Sequence, residues 1–169
     1  MKYLTQTRLM YGFFVVMGIG LATNQAFAYG DHATTSHPGS SATYNAASSG
    51  TENLTLGPVT IRMLLDKSNL GRSDIEIGEL NLPPEYGDSA SHPHGSLEIF
   101  YVVEGILGHE VNGKTYTLNP GDAGYVNPGD QVRHSVMSDV PVKAVVIWLP
   151  GGEADALVKN AGFKREKID

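Results

Sequence analysis

The sequence predicts an all-β domain, a sandwich or a barrel, and three observations carry that reading. Eight or more short runs rich in β-branched and apolar residues follow one another between residues 54 and 150. Turn signals separate them, at Pro83-Pro84, Asn112-Gly113, Pro120-Gly121-Asp122 and Asn127-Pro128-Gly129-Asp130. Glycine takes 20 of the 169 positions while hydrophobic content, 41%, is ordinary; that mixture suits many turns around a modest core better than a helical bundle.

The domain does not begin at residue 1. Residues 1–9 carry Lys2 and Arg8 and no acid, residues 10–22 are uncharged and mostly apolar, and Ala26-Phe27-Ala28 follows as a small-x-small pattern. This is the layout of a secretory signal peptide cleaved after Ala28, which places the mature chain in the periplasm or outside the cell. The apolar run falls short of the roughly 20 residues of a membrane span, so no stable membrane anchor is expected after cleavage; a retained N-terminal anchor is the alternative. Cleavage leaves 141 of the 169 residues and removes two bases and no acid, which moves the net charge from −6 to −8. Residues 29–53 contain no Leu, Ile, Val, Phe or Met, and Ser or Thr fills 9 of the 25 positions, so a disordered arm is expected there. His32 and His37 in it read as solvated side chains or as a metal catch.

From Leu54 the pattern changes. Val59–Leu65 and Asp74–Leu82 read as strands. In the second, Ile75 and Ile77 alternate before Leu80 and Leu82 take the opposite parity, so a bulge is expected at Gly78. Leu97–Val103 and Ile106–Val111 follow, then a hairpin to Lys114–Leu118 through Asn112-Gly113, both of which accept the positive φ of a type I′ turn. Tyr125 lies in a strand before Pro128, and Val132–Met137 and Val142–Leu149 complete the set. Beyond Pro150-Gly151-Gly152, Glu153–Asn160 reads as a short helix with acids at its start and Gly162 as its stop, and the last residues as a polar tail. The expected divisions are a leader at 1–28, an arm at 29–53, the barrel at 54–150 and a helix with tail at 151–169.

Composition removes several chemistries. Without cysteine there is no disulfide framework, iron–sulfur cluster, Cys-ligated zinc, thiol nucleophile or lipid attachment through sulfur. The acidic balance argues against nucleic acid as a partner, because phosphate recognition needs a basic footprint.

The informative segment is His92-Pro93-His94-Gly95-Ser96-Leu97-Glu98. Residues two apart on an extended chain face the same side, so His92 and His94 can present two imidazoles to one point. A turn at Gly95-Ser96 lets the next strand bring Glu98 alongside. Glu98 shares parity with Phe100 and Val102, so it heads an apolar inward stripe, where a carboxylate needs a partner. A metal is one such partner, and two imidazoles with a carboxylate suit Fe, Mn, Zn, Ni or Cu. His134 is a fourth candidate, on a later strand that antiparallel pairing could bring close. An ordinary pair of loop histidines would show the same spacing, and spacing alone leaves both readings open.

This segment resembles the cupin superfamily. The family's first motif, G-x5-H-x-H-x3-4-E-x6-G, matches Gly87, His92, His94, Glu98 and Gly105, with four rather than five residues after the leading glycine. The second, G-x5-P-x-G-x2-H-x3-N, starts at Gly121 and has Asn127-Pro128-Gly129 at its P-x-G position. Its histidine, His134, comes two residues late, and Ser138 stands at the final Asn. The 15 residues between the motifs, Ile106 to Pro120, suit the hairpin a cupin places there. The resemblance implies a double-stranded β-helix, the cupin jelly-roll barrel, over about residues 55–150. It also implies one divalent transition metal held by His92, His94, Glu98 and His134.

Such a ligand set leaves open positions, and reaction there calls for an acid or base nearby. His109, Tyr116 and Tyr125 are the candidate catalytic residues, as proton donors or as groups that orient the ligands; each also reads as a packed strand side chain. The expected function is a metal-dependent enzyme of oxygenase type acting on a small organic molecule. The alternatives are a small-ligand or metal-binding cupin without turnover, or a cupin isomerase or lyase. A homodimer is a further expectation, joined through Val59–Leu65.

Overall fold

The computed structural model describes residues 47–168. The expected leader, and the arm as far as residue 46 with His32 and His37, lie outside the described residues. The described chain runs through β1 (Glu52–Leu56), β2 (Val59–Leu65), a one-turn helix α1 (Lys67–Leu70), β3 (Glu76–Leu82), a 3-10 turn at Pro84–Tyr86, β4 (His92–Pro93), β5 (Leu97–Glu104) and β6 (Leu107–Val111). It continues with β7 (Lys114–Leu118), β8 (Ala123–Val126), β9 (Gln131–Val136), β10 (Val142–Leu149) and α2 (Glu153–Ala156). A π-helical turn, Leu157–Ala161, extends α2 before the last strand, β11 (Lys164–Lys167).

Two antiparallel sheets form the barrel. The larger has the order β11-β1-β2-β3-β10-β5-β8, and the smaller β4-β9-β6-β7. Strict alternation builds the core. Val59, Ile61 and Met63 on β2 and Val142, Ala144, Val146 and Trp148 on β10 are buried, while the residues between them are less so. Phe100 and Val102 on β5 and Leu107 and Val132 from the smaller sheet join the same cluster. Successive side chains of a strand point to opposite faces, so these period-2 patterns commit one face of each strand to the interior. The fold is the cupin jelly roll that the motif resemblance implies.

Local chemistry sets the connections. Asn112 and Gly113 both have positive φ, 51° and 80°, as the I′ hairpin between β6 and β7 requires. Gly105, the last residue of the first motif, has φ 74°, and a Cβ there would lie 2.5 Å from the Pro141 carbonyl oxygen, so the turn after β5 admits no side chain. Asp66 caps α1 by accepting the Ser68 amide, 2.6 Å away, while the Asn69 side chain accepts the Asp66 amide at 2.9 Å.

Several expectations are corrected. Gly78 is not a bulge: Glu76, Gly78, Leu80 and Leu82 share the inward face of one regular strand. The irregularity lies on the partner strand, where the β2–β3 register shifts between Met63 and Leu65. Glycine is needed there for space, because a Cβ on Gly78 would approach Ile61 Cγ2 to 2.8 Å. The barrel starts before Leu54, since Glu52 and Asn53 are already in β1. The polar tail is a strand: β11 pairs with β1, and Arg165 and Lys167 reach the Glu52 carboxylate at 3.1 and 3.2 Å. Glu52 is only 3% exposed, and this pairing supplies the charge that its burial demands. β2 lies between β1 and β3, so a second copy could meet Val59–Leu65 through its outer face, at Thr60 and Arg62, and not by adding a strand.

Candidate functional site

The candidate ligands arrive from both sheets. β4 pairs with β9, His92 opposite Val132, which holds the histidine segment against the strand that carries His134. The stretch before it is stitched to β9 at two more points: the Ser89 amide donates to the His134 carbonyl and the His134 amide to the Ser89 hydroxyl, both at 2.8 Å. After His94 the turn is fixed by the Ser96 hydroxyl, which donates to the Pro150 carbonyl at 2.8 Å. β5 then carries Glu98 into the interior, 3% exposed, from the larger sheet.

Glu98 and His94 form the centre of the site. Glu98 Oε1 accepts a 2.8 Å hydrogen bond from the Trp148 indole N–H, from directly across the β5–β10 pair. His94 Nδ1 is bonded to Glu153 Oε1 at 2.9 Å. A carboxylate only accepts, so His94 Nδ1 carries a proton. The remaining atoms, His94 Nε2 and Glu98 Oε2, lie 3.0 Å apart without the alignment of a hydrogen bond, and both are buried with no other partner. Burial pushes the Glu98 carboxyl up to about 7, although attraction to His94 and the Trp148 hydrogen bond pull it down. Burial also opposes charge on His94, but the Glu153 hydrogen bond and the charges of Glu98 and Glu153 outweigh it and raise that pKa.

His92 and His134 stand close by: the His92 ring centroid lies 4.9 Å from that of His94 and 6.4 Å from that of His134. His92 Nδ1 lies 2.8 Å from the Ala90 carbonyl oxygen and donates to it, which leaves Nε2 as its free lone pair. His134 packs its ring against Phe100, centroids 4.6 Å apart, and its Nε2 lies 3.1 Å from His109 Nδ1. His109 Nε2 in turn donates to the Tyr125 carbonyl at 3.3 Å. Burial pushes the His109 pKa down, and it holds that of His134 well below the ordinary value, helped by repulsion from the neighbouring histidines. With both rings neutral, His109 Nδ1 accepts and His134 Nε2 donates.

His92, His94, Glu98 and His134 all line one cavity of about 630 Å³. As the side chains stand, no group of three or more His, Asp or Glu among the described residues is arranged to hold a metal ion. The reason is visible in the hydrogen bonds: His134 Nε2 is turned to His109, so only the His94–Glu98 pair converges. That pair does fit a metal. Ligand distances of about 2.0–2.2 Å place two ligands at right angles roughly 3 Å apart, and an orphaned lone pair beside an orphaned carboxylate oxygen is what a cation would satisfy.

The other sequence candidates are distributed differently. His109 is buried against His134 and does not line the cavity. Tyr116 lies opposite His109 on β7 but is 43% exposed, with the Lys114 ammonium over its ring. Tyr125 is 63% exposed, because β8 turns Gly124 and Val126 inward and Tyr125 outward. Neither tyrosine side chain reaches the cavity; only the Tyr125 carbonyl takes part. The tyrosine that lines it is Tyr86. Sequence reasoning missed Tyr86, and it missed the bonds of Trp148 and Glu153 to the ligands. Tyr86 stands next to the leading glycine of the first motif, which was a usable signal. Trp148 and Glu153 come from the far end of the chain, and nothing local marks them.

The family model for the cupin domain matches residues 78–148. None of the curated proteins matches. Solved structures do. An RmlC-like cupin from Shewanella frigidimarina is 21% identical, TM-score 0.50, over 61% of this chain and 86% of its own. A predicted oxalate decarboxylase from Thermotoga maritima is 21% identical, TM-score 0.52, over 60% and 94%. KdgF from a Halomonas species is 17% identical, TM-score 0.51, over 60% and 89%. At these identities the likeness is one of fold. The match over residues 78–148 is to the cupin domain, and the barrel built around those residues has the fold of the cupin structures.

Proposed function

We propose that the chain is an exported, metal-dependent enzyme of oxygenase type that acts on a small organic molecule in the barrel cavity. The observation that carries this reading is the pair His94 Nε2 and Glu98 Oε2, buried, unpartnered and 3.0 Å apart on the cavity wall. His94 and Glu98 would hold the metal, joined by His92 and His134. A divalent transition metal, Fe, Mn, Ni, Cu or Zn, supplies Lewis acidity and open coordination positions when bound.

The protein's own groups prepare the site. Glu153 keeps the proton of His94 on Nδ1, so that Nε2 presents a lone pair. The Ala90 carbonyl does the same for His92. Trp148 takes one oxygen of Glu98 and leaves the other to the site. His109 holds His134, and ligation through His134 Nε2 requires that atom to give up its proton and its bond to His109. Apolar side chains from β2, β3 and β5, among them Ile61, Leu80 and Phe100, surround the site. Tyr86 is the side chain placed to donate a proton or a hydrogen bond to a bound molecule. Export rests on the leader sequence, and an exported form whose intact mass begins at Tyr29 checks it.

The test is oxygen uptake by protein loaded with Fe, Mn or Ni and offered panels of small organic molecules. Consumption of oxygen tied to loss of one compound supports an oxygenase. Compound loss without oxygen consumption points to the isomerase or lyase chemistry also found on this fold. One observation favours a binding role without turnover: His134 Nε2 is engaged with His109, and no three ligating groups among the described residues converge on one point. Tight ligand binding with no turnover under any metal supports that role instead.

A further inference from the structure

The cavity is lined by a cluster of histidine and glutamate side chains and by a larger set of apolar ones. Leu56, Val59, Ile61, Leu80 and Leu82 line it from β1, β2 and β3, strands other than those that carry the His–Glu cluster. The turn of α2 and the π-helical segment closes it with Leu157 and Phe163, and Ala161 lies at the exposed rim. No lysine or arginine among the described residues lines it, and the only side chains there that can carry a formal negative charge are Glu98 and Glu153. Glu153 itself is bonded to His94. Beyond the metal side, an anionic group on a ligand would therefore lose its hydration and meet no cation. A sugar or polyol would leave hydroxyls facing hydrocarbon, with Tyr86, Ser89 and Asn160 as the few remaining polar contacts.

We propose that this site takes a molecule with an uncharged hydrocarbon body, aromatic or aliphatic, and a single oxygen donor directed at His94 and Glu98, and that it discriminates against dicarboxylates, sugars and polyols. The donor end rests on the metal reading above; the body end rests only on the apolar wall. A cavity of this volume falls within the range of sites for small organic ligands.

Two probes separate the ends. 4-Phenylbutyrate and adipate offer the same carboxylate and differ at the far end, phenyl against a second carboxylate. Calorimetric titration of zinc-loaded protein is expected to show 4-phenylbutyrate binding more tightly by about ten-fold or more. Ala161→Arg adds a cation at the exposed rim and should narrow or reverse that ratio. Adipate binding as tightly as 4-phenylbutyrate, no saturable binding of 4-phenylbutyrate, or an unchanged ratio in Ala161→Arg overturns the proposal. The same titrations without metal keep the two readings apart. If the protein retains no zinc yet prefers the phenyl end, the metal reading falls and the apolar-ligand inference stands.

Discussion

At the scale of single residues, the groups that orient the site matter as much as the ligands they touch. Glu153 bonds His94 Nδ1 while the next residue, Ala154, gives its amide to Glu76 Oε2 at 3.0 Å, so the start of α2 is tied to both the site and β3. Removing charge at Glu153 while keeping its shape should leave the fold intact and loosen metal. Glu153→Gln is expected to weaken metal affinity by about 10–100-fold, read by metal titration, with an unchanged thermal midpoint. Unchanged affinity would show that the Glu153 contact does not support the ligand. The sequence made His92, His94 and Glu98 legible, because alternation along an extended chain is enough to put their side chains on one side. It could not reveal Trp148 and Glu153, whose contacts with Glu98 and His94 span 50 and 59 residues of chain. Parity also misplaced two tyrosines. It says which residues share a face and not whether that face is covered, and at β7 and β8 the Tyr116 and Tyr125 side chains remain in solvent.

At the scale of elements, strands with strict alternation were legible to the residue: Val59–Leu65 and Val142–Leu149 match β2 and β10 end to end. Elements held by tertiary partners were not. β11 is polar at every position and reads as a tail, yet it is a strand because β1 offers its edge and Glu52 offers a buried negative charge. The one-turn helix α1 is too short to hold itself and depends on its cap. Asp66 feels burial, which raises its pKa, but hydrogen bonds from Ser68 and Thr51 outweigh it and hold the carboxyl below the usual range. Its contribution to stability is therefore present above the unfolded value of about 4 and fades as pH falls through the lower folded value. Asp66→Ala should cost about 1 kcal/mol near neutral pH. In urea denaturation the gap between wild type and variant should shrink at pH 3. A gap that does not change with pH would assign the loss to packing rather than to the charged cap.

At the scale of the whole molecule, the fold and the site are parts of one arrangement. The larger sheet brings Glu98 and Trp148, the smaller brings His109 and His134, and the C-terminal helical turn brings Glu153 and a cover for the cavity. The absence of cysteine means that any metal here is held by nitrogen and oxygen, and the two orphaned atoms on the cavity wall are one of each. Metal binding at those two atoms is the central claim. The direct measurement is elemental analysis of metal-loaded, desalted wild type beside His94→Ala and Glu98→Gln, with circular dichroism to confirm that each is folded. About one divalent ion per wild-type chain is expected, with loss of stoichiometric metal in both folded variants. Full occupancy in the two variants, or no retained metal in the wild type, would contradict it.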